Sequence, residues 1–385
     1  VTPFEFATAS RILFGEGCSA SVPELAAGFG DRVLVVAASD PARAEWLVDA
    51  LQARNVDVVL LCVDGEPDVA FAAGGADLAH RRNIDAVVGL GGGSALDAAK
   101  AIAALATNAG DPTDYLEVVG LGRPLTAAPL PLIAVPTTAG TGSEVTRNAV
   151  LTVSSHGVKA SLRSPLMLPR IAVVDPMLTL DLPPPITAST GLDALTQLIE
   201  PFLSVKANPV TDALCRDGVA RVARSLRRAY EDGRDADART DMSLASLFGG
   251  LGLANAGLGA VHGLAAPIGG MFHAPHGAIC AALLPHVMTA NIRALRATGD
   301  GGGTLGRIAE VGRILTGRAD ARADDAIAWI TETVVRLDVQ PLSALGVTSA
   351  DLPALAEQAQ RSSSMKGNPV ALAPKDLVEI LTAAL

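Results

Sequence analysis

Cysteine is scarce in this chain. The four present, Cys18, Cys62, Cys215 and Cys280, lie far apart with no C-x-x-C spacing. This excludes a disulfide framework as the organising device and fits reduced, inert core thiols in a cytoplasmic protein. Basic residues are in deficit too, 30 Lys and Arg against 40 Asp and Glu for a net charge of −10. That balance argues against nucleic acid or an anionic membrane as partner and favours small soluble ones. The N-terminus lacks the apolar core of a signal peptide, since Glu5, Arg11 and Glu16 interrupt it, so secretion is not expected. Only Leu244 to Phe272 is long and uncharged enough for a membrane span. Its many glycines and alanines, with Asn255 and His262, make it a buried helix of a large core instead. No internal repeat is visible.

What is present is a chain of 385 residues, 49% of them hydrophobic. It is longer than a single core usually grows, so two domains are expected. The first half has a βαβ rhythm. Runs at Arg32–Ala37 and Asp57–Val63 read as strands, separated by helical spacing through Ala44, Leu47, Leu51 and Ala53. Ser39-Asp40-Pro41 reads as a helix start. Ile84–Leu90 is a further strand, and Gly91, Gly92, Gly93 and Ser94 then open a helix. A strand, glycine turn and helix of this kind suit a phosphate, because glycines admit the anion and free N–H groups face it. Ser94 and Asp97 alternatively form a capping box.

Pro131–Pro136, another strand, runs into a second loop rich in glycine and hydroxyls. Its Thr137, Thr138, Thr141 and Ser143 offer bonds to pyrophosphate and ribose, or simply form a polar turn. Both loops would lie at the carboxyl edge of one sheet, where α/β ligands bind. Ala149–Val153 and Ile171–Asp175 complete the strands, with His156 in a turn. After Leu182-Pro-Pro-Pro185 strand runs nearly vanish. Alanine-rich segments take over, with Cys215, Val219, Val222, Leu226 and Tyr230 at helical spacing, and Gly301–Gly303 as a joint between helices. The expected architecture is an α/β domain over 1–183 and an all-helical domain over 184–385.

Asp193 and Gln197 stand four apart in Thr190–Glu200, on one face of a helix, where a carboxylate and an amide can converge on one bound atom. Asp193 could equally be a dipole partner in the first turn, with Leu192, Leu195 and Ile199 as the buried stripe. Histidine is rare, six in all, yet His262, His273 and His276 cluster in a charge-poor segment. Imidazole is the commonest protein ligand of transition metals. His80 and His286 read as structural.

With these motifs in order along nearly its whole length, the chain resembles the iron-containing (group III) alcohol dehydrogenases of the dehydroquinate-synthase-like superfamily. The likeness rests on Gly91–Ser94, Pro136–Thr146, Val174-Asp-Pro176, Thr190–Thr196, Val261-His-Gly263 and Ala274–Gly277. It implies an α/β nucleotide-binding domain, an all-α C-terminal domain and an active site in the interdomain cleft. It also implies a homodimer or higher homo-oligomer, NAD or NADP as cofactor, a divalent metal such as Fe²⁺ or Zn²⁺, and a small alcohol or carbonyl substrate. Family metal ligands are one aspartate and three histidines. Asp193, His262 and His276 match, while Gln197 stands at the first histidine position and Ala266 where many members carry a further histidine. The metal set is therefore read as Asp193, Gln197, His262 and His276, with Asp193, His276 and a proton-relaying His273 as catalytic residues. Cofactor contacts fall on Gly91–Ser94, Asp97, Thr137, Thr138, Thr141, Ser143, Lys159, Leu178 and Ser39. At the place where NAD-preferring members often carry an acid stands Ala38, and Ser39 and Arg43 nearby suit a 2′-phosphate. A maleylacetate-reductase-like enzyme, a cyclising lyase and a nucleotide-binding protein with a lapsed metal site are the competing readings.

Overall fold

The computed structural model describes residues 3–153, 157–272, 274–299 and 303–385. The chain divides into two compact units. One comprises Thr8–Thr138 and Gly142–Thr179; the other comprises Val1–Ala7, Ala139–Thr141 and Leu180–Leu385. His156, Gly301 and Gly302 lie outside the described residues, as does His273.

The first unit is built on strands β1 (Arg11–Phe14), β2 (Arg32–Ala38), β3 (Asp57–Val63), β4 (Ala86–Gly91), β5 (Leu132–Pro136), β6 (Asn148–Val153), β7 (Val158–Arg163) and β8 (Ile171–Val174). Six of them form a parallel sheet in the order β1-β8-β5-β4-β2-β3. The helices α1 (Val22–Ala27), α2 (Glu45–Gln52), α3 (Val69–Arg81) and α4 (Gly93–Leu105) accompany it. Val33–Ala37 and Ala86–Val88 are buried without alternation, as a parallel sheet covered on both faces requires. β6 and β7 form a separate antiparallel hairpin. β1 and β7 escape a reading by hydrophobic runs, because Arg11, Lys159 and Arg163 interrupt them.

The second unit is helical: α5 (Pro184–Leu203), α6 (Pro209–Glu231), α7 (Ala236–Ala256), α8 (Ala260–Phe272), α9 (His276–Thr298), α10 (Thr304–Thr316), α11 (Ala323–Arg336), α12 (Leu352–Arg361) and α13 (Pro374–Ala384). The single buried helix expected over Leu244–Phe272 is in fact the end of α7 and all of α8, bent by 98°. Gly257, at φ 73 and ψ −175, ends α7 in an extended positive-φ conformation open to glycine. The other helix with the length and hydropathy of a span, α9, has 72% of its apolar window buried inside the protein.

α5 is the axis of this core. Pro184 at its start fits the first turn, where no N–H donor is needed. Leu192, Leu195, Leu198 and Ile199 are fully buried, each contributing about 1.5–3 kcal/mol by burial. Asp193, Gln197 and Glu200 are buried as well, so polar groups are carried deep into the apolar unit.

Candidate functional site

In the first unit, Gly91 pairs with Pro136 across the sheet, and the Thr137 N–H donates to the Gly91 carbonyl at 2.9 Å. The two loops therefore leave the same sheet edge side by side. Gly91 adopts φ 156, and a Cβ there would stand 2.7 Å from Cβ of Ala95. A Cβ on Gly92 would stand 3.3 Å from Thr138. With glycine at the N-cap, no side chain caps the first N–H groups of α4. Bare backbone donors at a helix start, beside glycines that keep side chains away, fit a phosphate.

The capping box expected of Ser94 and Asp97 does not form. Asp97 accepts the Ser143 hydroxyl at 2.6 Å and the Val150 N–H at 2.9 Å, and pairs with Lys100 at 2.9 Å. It is a lock between α4 and the second loop. Ser39 is exposed just beyond β2, and Asp40, not Ser39, caps the short turn Pro41–Ala44 that leads to α2. Lys159 is paired with Glu66. Leu178 packs on the apolar core of the sheet. Thr141 belongs to the helical unit, where the adjoining Gly140 lies so near Thr190 that a Cβ would meet Cβ of Thr190 at 2.6 Å.

In the helical unit, Asp193 on α5, His262 on α8 and His276 at the start of α9 converge, and Cys280 joins them. One donor atom from each lies within 4.8 Å of all the others. His262 Nε2 is 3.5 Å and His276 Nε2 3.9 Å from Asp193 Oδ1, and the Cys280 sulfur is 3.6 Å from His276 Nε2. Gln197 donates its amide N–H to Asp193 Oδ2 at 3.1 Å. The Glu200 carboxylate lies 2.7 Å from His262 Nδ1 and also accepts the Val261 N–H at 2.7 Å. That contact directs the Nε2 side of the ring at the cluster.

Among the described residues, Asp193 Oδ1, His262 Nε2 and Gln197 Oε1 are buried without a hydrogen-bond partner. Three orphaned polar atoms in one place are costly in a folded core, at about 1–3 kcal/mol each, and a cation would satisfy them. The electrostatics agree. Burial would lower the His262 pKa, yet Cys280, Glu200 and Asp193 raise it well above its ordinary value. Burial would likewise raise the Asp193 carboxyl, but the facing His262 and His276 draw it below the usual range. The donor set attracts positive charge.

Two members of this cluster have no place in the sequence reading. Cys280, read as a core thiol, is buried but lies beside the two imidazoles and the Asp193 carboxylate. It lies one turn after His276 on the same helix face, the spacing that drew attention to Asp193 and Gln197. Glu200 lies two turns after Asp193, also on one face. The other three cysteines are free, and among the described residues none of them belongs to such a cluster.

Residues 9–176 match the family model described as iron-containing alcohol dehydrogenase, and residues 187–385 match its Fe-containing C-terminal counterpart. Alcohol dehydrogenase 4 of Saccharomyces cerevisiae is 38% identical over 336 residues, covering 87% of this chain and 85% of the relative. The structure of an archaeal halo-thermophilic Red Sea brine pool alcohol dehydrogenase superposes with a TM-score of 0.91 at 28% identity, over 100% of this chain and 99% of that one. Sulfoacetaldehyde reductase from Bifidobacterium kashiwanohense, solved in complex with NAD⁺, gives 0.86 at 29% identity over 100% and 99%. Matched in both halves and nearly end to end, the chain belongs to the iron-containing alcohol dehydrogenase family, whose members are oxidoreductases acting on CH–OH groups.

Proposed function

We propose that this chain moves a hydride reversibly between the carbon of a small alcohol and the nicotinamide of NAD or NADP, using a divalent cation at the Asp193–His262–His276 cluster. The observation that carries this reading is the convergence of buried donor atoms lacking partners on that cluster. A divalent cation held there supplies a Lewis acid toward the alcohol oxygen.

The chain's own residues do the rest. Asp193 and His262 are held rigid by Gln197 and Glu200, so that little reorganisation is required on loading. His276, 37% exposed, is the member of the set most open to solvent. Gly91–Ser94 and Thr137–Thr138 bind the pyrophosphate through backbone N–H groups and hydroxyls. Ser39 and Arg43, exposed after β2 with no acid at Ala38, leave room for a 2′-phosphate, so both nucleotides are accepted.

The test is NAD(P)H turnover by purified protein over a panel of aldehydes and ketones, after chelation and after adding back Fe²⁺ or Zn²⁺. Metal-restored turnover supports the reading. Full turnover in the stripped enzyme, or none with any substrate and metal, overturns it.

A further inference from the structure

We propose that Cys280 supplies a thiolate ligand to this centre, in place of the donor missing at position 197, and that the centre consequently takes zinc in preference to iron. The proposal rests on the metal reading above and deepens it.

Position is the first argument. Cys280 is fully buried on α9, one helical turn from His276, and its sulfur sits 3.6 Å from His276 Nε2 within a set whose donors all lie within 4.8 Å of one another. The orphaned Asp193 Oδ1 and His262 Nε2 belong to the same set. The second argument is what Gln197 already does. Its amide N–H is committed to Asp193 Oδ2, which leaves Oδ1 as the oxygen 3.5 Å from His262. Gln197 thus positions the carboxylate, and its remaining Oε1 is a neutral donor.

Softness separates the two candidates: a thiolate with imidazoles suits zinc, whereas the Gln197 amide oxygen is a hard, neutral donor with no such bias. Binding exchanges the S–H bond for a sulfur–metal bond, the thiol proton passes to solvent, and no oxidation state changes.

Cobalt(II) is the probe, because a cysteine ligand gives it a thiolate-to-metal charge-transfer band in the near ultraviolet besides its visible ligand-field bands. Full-length chelator-stripped protein is titrated with Co²⁺, its fold being checked by circular dichroism. Wild type is expected to show both sets of bands. Cys280→Ala and the closer Cys280→Ser keep weak visible bands, lose the charge-transfer band and bind at least about tenfold more weakly. In anaerobic competition between Zn²⁺ and Fe²⁺, read by metal analysis, the zinc-to-iron ratio falls at least about tenfold in Cys280→Ala. Bound cobalt without a charge-transfer band in wild type, which requires no variant to fold, overturns the thiolate ligand and leaves the metal reading standing. A band that persists in Cys280→Ala does the same. Wild type that binds neither cobalt nor zinc overturns both.

Discussion

The Glu200 carboxylate spans His262 and Val261, with one oxygen 2.7 Å from the ring Nδ1 and the other accepting the Val261 N–H at 2.7 Å. One side chain thereby fixes both the orientation of a candidate ligand and the first turn of the helix that bears it. Glu200→Gln keeps the shape and removes the charge that stabilises the Nδ1–H form. Zinc affinity is expected to fall about 10- to 100-fold, the range for such outer partners, with the circular dichroism spectrum unchanged. Unaltered affinity in a competition titration would show that the ring needs no such partner.

Gly91 and Gly74 make a matched pair for the nucleotide loops. At Gly91 an added Cβ meets Ala95 at 2.7 Å, on a backbone at φ 156. Gly91→Ala is expected to cost about 1–3 kcal/mol in stability and to raise the Kd for NAD. Gly74 lies inside α3 with nothing within 4 Å of its Cβ position. Gly74→Ala should therefore stabilise by about 0.5–1 kcal/mol and leave the Kd alone. Equal effects of the two on nucleotide binding would contradict the role given to Gly91.

Asp97 carries three partners, and one of them, Lys100, is 2% exposed. Asp97→Asn leaves that ammonium without its carboxylate. Loss of one member of a buried pair costs about 3–5 kcal/mol, and because the Asp97 side chain is 15% exposed the loss is expected toward the lower end of that range. Urea denaturation checks this, and a loss below 1 kcal/mol (roughly the value of an exposed pair) would mean that the Thr146 hydroxyl and the Asn148 carbonyl, which also accept from the Lys100 ammonium, suffice for it.

These residues also show where the sequence was readable. β2, β3, β4, β5 and β8 are apolar runs bounded by turn residues, and the α/β-to-helical change follows from the loss of such runs after Pro185. Asp193, His262 and His276 were legible because their motifs are family motifs. Glu200, Cys280 and the contacts of Asp97 were not, since each depends on elements far apart in sequence: α5 with α8, α9 with α5, α4 with the loop at Ser143. Periodicity reports which face of a helix is buried. It does not report what the face meets, so a buried thiol beside two imidazoles and a buried thiol beside leucines look alike in the sequence.

Glu144 gives a pH dependence of unusual sign. It is 2% exposed in the short turn Ser143–Val145, and burial raises its pKa from 4.5 to about 7, with Lys100 only partly offsetting this. In the unfolded chain the carboxyl ionises near its ordinary value; in the folded protein it holds its proton until about pH 7. Between those values the native state binds more protons, so stability falls as pH rises, the reverse of the usual carboxylate. At about 1.4 kcal/mol per pH unit, the interval corresponds to about 3 kcal/mol lost by pH 8. Glu144→Gln has no such titration. Its stability relative to wild type should be close at pH 4.5 and higher by up to about 3 kcal/mol at pH 8, read from urea denaturation at both values. Because every other titrating group is shared, the difference between the two proteins isolates Glu144, and a difference that does not grow with pH would show that the carboxyl ionises freely where it is buried.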